Sequence, residues 1–234
     1  MQQNAPTVQG EFERIFETLF REPVRFTGAG RTDAGVHATH FVAHFDTSRN
    51  DLDKDPALIA KLNSMLPREI VVYRIFAVQP DAHARFDALS RTYHYRIATI
   101  KNPFTVDLAY HLYRSLDIEK MNQAAAILLE YNDFTSFAKL HGNAKTNLCE
   151  LIEAKWYDDT AGELRFEITA NRFLRNMVRA IVGTLIDVGL NKYPPQALHY
   201  IIQKQDRGAS GTSAPPQGLY LVRIEYPDSI TRIE

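Results

Sequence analysis

An aspartate surrounded by an arginine and three glycines is the first group in this sequence that could do chemistry. The stretch GAGRTDAGVH (28–37) contains Arg31 and Asp33. Glycine in ordered structure indicates a backbone with positive φ, or the close approach of another group. A carboxylate in such a loop can act as a nucleophile or as a general base. The alternative is a tight turn in which Asp33 bonds its own backbone, and the loop alone favours that turn.

Three arginines accompany the apolar segment FLRNMVRAIVGTLIDVGL (173–190). Arg172, Arg175 and Arg179 are three and four residues apart, so they share one side of the predicted helix. Apolar residues flank Arg179, and an arginine in such surroundings needs a partner, which can be water, phosphate or an internal carboxylate such as Asp33. We expect Arg179 to be paired and partly buried, because a nearby opposite charge favours an ionised carboxylate.

Aromatic residues and arginines are interleaved in HARFDALSRTYHY (83–95). On the strand predicted at 90–99, Arg91, Tyr93 and Tyr95 share one face. Rings with neighbouring arginines are typical of surfaces on which nucleic-acid bases stack. The alternative is a strand whose tyrosines pack against a helix, and for this segment in isolation that arrangement is the more common one.

Three histidines, His37, His40 and His44, follow the glycine-rich loop and suggest a metal site. Spacings of three and four residues could form such a site on a helix. The stretch THFVAHFDT (39–47) instead alternates as a strand, on which His40 and His44 lie too far apart for a good chelate. We therefore expect no metal, and histidines on a polar strand face.

The composition is that of a soluble globular protein, with 45% hydrophobic and 24% charged residues among 234. A net charge of −1 argues against a general polyanion-binding surface but allows a local basic cleft. The single cysteine, Cys149, excludes an internal disulfide and fits a reducing cytoplasm. No apolar run reaches transmembrane length, and MQQNAPTVQG lacks the features of a signal peptide.

The periodicity of apolar residues predicts an α+β protein. Helices are predicted at 7–21, 56–65, 117–130 and 173–190, with a short one from Pro195. Strands are predicted at 24–28, 39–47, 69–78, 90–99, 147–159, 163–170 and 218–226, with a hairpin turn at Ala161-Gly162.

The second half has the element order β, α, β, β, α, β, and the first half has the same order without its opening strand. We predict two split-βαβ (ferredoxin-like) units, as domains at 1–89 and 90–234. They form a largely antiparallel sheet with helices on one face and an active-site cleft between the halves. The first strand is expected to be missing.

Together these segments resemble one family, the tRNA pseudouridine synthases of the TruA type. GAGRTDAGVHA (28–38) is similar to the family's catalytic loop and HARFDALSRTYHYRI (83–97) to its second motif. DFTSFAK (133–139) resembles the central motif and NRFLRNMVRAIVGTL (171–185) the third. GLYLVRIEYP (218–227) resembles the closing strand, so the resemblance runs in order along essentially the whole chain.

The resemblance implies roles for individual residues. Asp33 corresponds to the catalytic aspartate, and Arg31 to an active-site residue that helps to extrude the target base. Tyr93 matches the tyrosine that stacks on the target uracil. Arg179 matches the arginine that pairs with the catalytic carboxylate, and Leu219 an apolar residue that lines the pocket.

The implied reaction is the isomerisation of uridine to pseudouridine at positions 38 to 40 of the tRNA anticodon stem-loop, by a homodimer and without a cofactor. Asp33 would attack C1′ or remove a ribose proton, and the sequence does not choose between them. The target base must first leave its stack, which suits an aromatic platform and an inserting arginine. Local arginines, with Arg91 assigned to substrate binding, would position the RNA through its phosphates.

Two functions of other classes remain open at this stage. A non-catalytic RNA-binding protein of the same fold, including one inactivated by truncation, would bind tRNA without forming product. A metal-dependent hydrolase using the histidine cluster would be sensitive to chelators. The family's first strand and its Tyr-Asp-Gly and Gly-Trp-Gln segment have no counterpart here, so neighbouring backbone groups are expected to lack partners.

Overall fold

The computed structural model describes residues 6–49, 51–139, 145–160 and 162–231. The helices are α1 (Val8–Phe20), α2 (Pro56–Met65), α3 (Ile118–Leu128), α4 (Met177–Gly189) and α5 (Ala197–Gln203). The strands are β1 (Thr27–Gly28), β2 (His37–Ala38), β3 (Ala43–His44), β4 (Ser90–Ala98), β5 (Tyr110–His111), β6 (Leu151–Thr160), β7 (Glu163–Ala170) and β8 (Leu219–Glu225). This mixture confirms the predicted α+β class. Within the described ranges, no helix combines the length and apolar character that crossing a membrane requires.

The chain divides into two compact units. The first contains the described parts of 1–31, 42–88 and 226–234, and the second contains 32–41 and 89–225. The short segment 32–41, which includes Asp33, therefore belongs by its contacts to the second unit. The division into domains at 1–89 and 90–234 stays a prediction, as do the repeated split-βαβ arrangement, the missing first strand and the cleft between the halves.

The second unit is built on a sheet with the strand order β2-β8-β4-β7-β6, and β5 pairs with β4 outside this path. The neighbours β8-β4, β4-β7 and β7-β6 are antiparallel, whereas β2-β8 and β4-β5 are parallel. The largely antiparallel sheet is therefore confirmed. On the central strand β4, Tyr93 lies opposite Ile168 of β7 and Leu221 of β8.

The core of the second unit lies between this sheet and the helices α3 and α4. The alternation of β4 accounts for its burial, because Tyr95 and Ile97 are fully buried while Arg96 between them is exposed. The Asn122 side chain binds both backbone groups of Trp156, accepting from its N–H at 2.8 Å and donating to its carbonyl at 3.1 Å. This pair of bonds ties α3 to β6.

The first unit has a separate core of aromatic and aliphatic side chains. The ring of Phe16 packs against Phe26 and Phe45, with centroid distances of 4.9 and 5.1 Å. Leu58 and Leu62 of α2 are buried in the same cluster. The strands β1 and β3 pair antiparallel beside this core.

Three helices begin where the sequence predicts, because each has a side-chain N-cap. The Thr7 hydroxyl accepts the N–H of Gly10 before α1. Asp55 precedes the proline that opens α2, and Asp117 accepts the N–H of Lys120 at the start of α3. The strands β4, β7 and β8 also agree with prediction, and β6 is present but begins at Leu151 rather than at 147. Ala161 of the predicted hairpin turn lies outside the described residues.

The strands predicted at 24–28 and 39–47 are wrong in extent. The first is reduced to the two residues of β1. The second is reduced to Ala43–His44, which pairs with β1 in the first unit, while His37–Ala38, just before the predicted strand, pairs with β8 in the second unit. Alternation of side chains cannot reveal that the backbone leaves one sheet and enters another.

The strand predicted at 69–78 is also wrong, since this segment forms only an isolated bridge, from Val78 to Thr231. Three of its apolar side chains, those of Ile70, Val72 and Ile75, do pack against the core of the first unit. The Asn63 amide donates to the carbonyl of Val72 at 2.9 Å and accepts its N–H at 2.7 Å. A side chain therefore supplies bonds that a neighbouring strand would otherwise make.

The fourth predicted helix begins later than expected, at Met177. Asn176 has φ of 66°, a left-handed conformation that interrupts a right-handed helix. Arg172 and Arg175 therefore precede α4, and the predicted stripe of three arginines on one helix is wrong. Only Arg179 of the three lies on the helix.

Candidate active site

Asp33 lies in a turn, as one interpretation of the loop predicts, but its carboxylate is not used to close that turn. The closing bond runs from the backbone N–H of Val36 to the backbone carbonyl of Asp33, at 3.2 Å. Gly35 has φ of +80°, a conformation in which side chains are strained. The carboxylate of Asp33, 26% exposed, is free to bind a partner outside the loop.

That partner is Arg179, whose Nη1 donates to Oδ2 of Asp33 at 3.0 Å. The guanidinium is 19% exposed and is itself fixed by the backbone of Ala214. Its Nε donates to the Ala214 carbonyl at 2.7 Å, and the Ala214 N–H donates to the Arg179 carbonyl at 2.9 Å. The structure thus brings together the carboxylate and the arginine that the sequence singled out, and holds the arginine from a third segment.

A second guanidinium approaches the other oxygen of the same carboxylate. Nε of Arg175 lies 3.8 Å from Oδ1 of Asp33, and the Arg175 side chain is 58% exposed. The Arg175 carbonyl accepts the N–H of Lys139, which fixes its backbone while the side chain faces solvent. Asp33 is therefore paired with one fixed and one exposed arginine.

Tyr93 stands beside this charged pair on β4. Its ring makes an edge-to-face contact with Phe173, with 5.2 Å between centroids. Burial raises the pKa of the Tyr93 hydroxyl to about 12. The positive charge of Arg91 lowers this pKa, and the negative charge of Asp33 raises it. The hydroxyl is therefore neutral at physiological pH. Arg91 donates from Nη1 to the carbonyl of Asn171 at 2.9 Å.

The remaining predicted site residues lie in two different surroundings. Leu219 is buried on β8 opposite Tyr95, whose hydroxyl donates to the carbonyl of Pro215 at 2.8 Å. Arg31 is exposed, two residues before Asp33 in the chain and assigned to the first unit. The roles of Leu219 and Arg31 stay predictions.

The histidines have local structural contacts. The Nε2 atom of His37 lies 3.0 Å from the carbonyl oxygen of Asp107. The Nδ1 atom of His44 accepts the N–H of Ala84, and burial, with a contribution from His83, lowers the pKa of His44. In the described part of the chain, no three His, Cys, Asp or Glu side chains come together as metal ligands would.

The loop that holds Arg179 was missed by reasoning from the sequence. Residues 206–216 contain Ala214 and a single arginine, Arg207, among small and hydroxyl residues. Such a composition is typical of any connecting loop. No periodicity in the sequence marks the backbone carbonyl that accepts a hydrogen bond from a partly buried arginine.

The geometry suits attack on, or proton removal from, a substrate bound over the tyrosine. A carboxylate held in place by a fixed cation can act as a nucleophile or a base without first reorienting. A half-buried ring next to it offers a flat surface to a planar base. Both groups lie in the second unit, where the segment 32–41 carries Asp33, β4 carries Tyr93 and Arg179 of α4 holds the carboxylate.

Comparison with known proteins shows the family to which this chain belongs. The family model described as tRNA pseudouridine synthase matches residues 124–227. A protein of Porphyromonas gingivalis is 52% identical over 98% of this chain and 91% of its own length. A protein of Bacteroides thetaiotaomicron is 50% identical over 98% of this chain and 86% of its own length. A protein of Thermoanaerobacter sp. is 40% identical over 96% of this chain and 92% of its own length. All three are named tRNA pseudouridine synthase A. With such identity along nearly its whole length, this chain belongs to the tRNA pseudouridine synthase A family.

Proposed function

We propose that this protein isomerises uridine to pseudouridine at positions 38 to 40 of the tRNA anticodon stem-loop, with Asp33 as the catalytic residue. The observation that carries the proposal is the 3.0 Å hydrogen bond from Arg179 to Asp33. It ties a loop carboxylate to a partly buried cation in a chain whose relatives are tRNA pseudouridine synthases.

The reaction breaks the N1–C1′ bond of the target uridine, turns the base over and joins C5 to C1′. The hydrogen on C5 leaves as a proton and N1 gains one, so that no oxidant, reductant or cofactor is required. Asp33 acts at the sugar, either by attacking C1′ or by taking the proton from C2′. Deuterium at C2′ distinguishes these roles, because only removal of that proton gives a primary isotope effect.

The neighbouring residues support binding of an extruded base. Tyr93 is assigned to stacking on the uracil, and its edge-to-face contact with Phe173 keeps the ring in one orientation. Arg31 is assigned to extrusion of the base, and its exposure leaves it available to RNA. Arg91 is assigned to substrate binding and Leu219 to the apolar wall of the pocket. Flipping a base out of its stack costs a few kcal/mol, which such contacts must supply.

The proposal is tested by treating a tRNA transcript with the purified protein and mapping pseudouridine along its length. We expect product at uridines 38, 39 or 40, and none in a matched transcript with cytidine at these three positions. Binding of the transcript without any product would instead identify a non-catalytic RNA-binding protein. Product at other positions would contradict the assigned substrate site.

We further propose that the protein works as a homodimer in the cytoplasm. The single cysteine supports a reducing compartment, because a chain with one cysteine cannot depend on internal disulfides. Light scattering of the purified protein should give twice the mass of one chain. Cell fractionation should recover the protein with soluble tRNA-modifying enzymes.

A further inference from the structure

We propose that Arg207 is a positioning residue for this reaction, which acts on Asp33 through Arg179. It fixes the segment 210–214, whose backbone holds the Arg179 guanidinium. The inference rests on the proposed function, since its test measures uridine isomerisation. Arg207 itself is not assigned a contact with the substrate.

The Arg207 guanidinium binds three acceptors within four consecutive residues. Its Nη1 donates to the Ser210 hydroxyl at 2.7 Å and to the Gly211 carbonyl at 3.1 Å. Its Nη2 donates to the Ser213 hydroxyl at 2.9 Å. A planar guanidinium with five donors suits this arrangement, whereas the single ammonium of lysine cannot match its geometry. The three hydrogen bonds from Arg207 therefore hold the segment in one conformation.

Contacts continue without a gap from this segment to the catalytic carboxylate. Ser213 adjoins Ala214, which exchanges two hydrogen bonds with Arg179, at 2.7 and 2.9 Å. Arg179 then donates to Asp33 at 3.0 Å. The Ser213 hydroxyl also accepts from the side chain of Asn176, the N-cap residue directly before α4. A displacement of Ser213 would therefore shift the neighbouring Ala214 carbonyl, which accepts from Arg179, and would disturb the Asn176 side chain at the start of α4.

The same segment lies directly against the backbone of α4. A Cβ atom added to Gly183 would overlap the carbonyl oxygen of Thr212, so only glycine allows this approach. The Gly211 N–H donates to the Thr184 hydroxyl at 2.9 Å. Because the segment is packed so closely against the helix, its position and that of Arg179 depend on each other.

A buried serine of the DFTSFAK motif holds the start of the same loop. The Ser136 hydroxyl accepts the N–H of Asp206 at 3.1 Å, and the Ser136 carbonyl accepts from the Ser210 hydroxyl at 2.6 Å. Ser136 has no exposed surface. Through these two bonds the DFTSFAK motif holds both Asp206 and Ser210, at the two ends of the first part of the loop.

The test compares Arg207→Gln and Arg207→Lys in the full-length protein, each with and without Arg179→Gln. For Arg207→Gln alone we expect kcat to fall about 10-fold or more with KM for tRNA changed less than about threefold, because a positioning defect acts on the reacting groups. Arg207→Lys should recover part of kcat. When Arg179 is already replaced, the same Arg207 substitution should change the rate less than about twofold, because residues in one network are not additive.

The matched control is Arg165→Gln, which removes another arginine from a hydrogen-bonded network. Arg165 donates to Asp159 and Glu167, on strands β6 and β7. The kcat of Arg165→Gln should stay within about twofold of wild type, because neither Asp159 nor Glu167 contacts Arg179 or the segment 210–214 in the hydrogen bonds described above. Ser213→Ala is the second test variant, and it should also lower kcat and lose its effect in the Arg179→Gln background.

An equal, additive effect of Arg207→Gln with and without Arg179 would overturn the inference. An unchanged kcat in Arg207→Gln and Ser213→Ala would also overturn it. In both cases the wild-type enzyme still converts uridine, so the proposed function stands. A wild-type protein that forms no pseudouridine would contradict the proposed function itself.

Discussion

Replacing Arg179 with glutamine should slow uridine isomerisation by about 10- to 100-fold. The substitution removes a charge-assisted hydrogen bond to a partly buried carboxylate, which contributes about 1.5–3 kcal/mol. If this energy stabilises the transition state, each 1.4 kcal/mol corresponds to about a tenfold change in rate. Arg175 can offset only part of the loss, because it is 58% exposed and an exposed ion pair contributes about 0–1 kcal/mol.

The assay is single-turnover release of tritium from tRNA labelled at C5 of uridine, with enzyme in excess. Release of the C5 hydrogen reports formation of the new C–C bond and does not depend on product dissociation. Arg14→Gln is the control, since Arg14 makes a similarly short ion pair with Glu11, at 2.8 Å, but is 60% exposed. Its rate should lie within about twofold of wild type, as exposed pairs contribute little.

A folded Arg179→Gln protein that releases tritium within threefold of the wild-type rate would refute this reasoning. Circular dichroism and thermal unfolding establish that the variant is folded. The same result would show that Asp33 does not depend on the buried arginine for its orientation, and would leave the exposed Arg175 as its functional partner.

Further predictions concern the reactivity of Cys149 and the stability of the protein. Burial raises the pKa of the Cys149 thiol from 9.0 to about 11, so a thiol reagent should modify the native protein at pH 8 about 100-fold more slowly than the urea-unfolded one. Because folding favours the neutral thiol, the stability that Cys149 contributes is present below pH 9 and lost as the pH rises to about 11, and urea unfolding of wild type and Cys149→Ala across this range measures it. Gly183→Ala should destabilise the protein by about 1–3 kcal/mol in urea unfolding, since its Cβ would meet the Thr212 carbonyl oxygen. Gly30→Ala, where no atom of the described residues lies within 4 Å of the added carbon, should change stability by less than about 0.5 kcal/mol.

The parts of the fold that depend on local interactions could be predicted from the sequence. Helices α1, α2 and α3 begin at capping side chains, and the long strands β4, β6, β7 and β8 carry their own alternation. The segment 69–78 shows the limit of such reasoning. Its β-rich composition agrees with the packing of several of its apolar side chains against the core of the first unit. A strand also needs a backbone partner, however, and here the Asn63 side chain makes the bonds of Val72 that such a partner would make.

That Arg179 is paired and partly buried could be expected from residue types, because an arginine among apolar residues needs a partner. The residues alone left water, phosphate and a carboxylate such as Asp33 open as that partner, and the family resemblance implied the carboxylate. The exact start of α4 could not be predicted, since it depends on the left-handed conformation of Asn176. The part played by Ala214 was equally inaccessible, because a backbone carbonyl is the same at every residue. Only the folded loop shows which carbonyl the guanidinium reaches.

The most direct test of the central claim compares the wild-type protein with Asp33→Asn on the same labelled tRNA. Both the single-turnover release of tritium and the dissociation constant for tRNA are measured on each preparation. If Asp33 performs the chemistry, the variant binds tRNA as the wild type does and releases no tritium above the level seen without enzyme. Tritium release by Asp33→Asn at the wild-type rate would contradict the assignment of this carboxylate as the catalytic group.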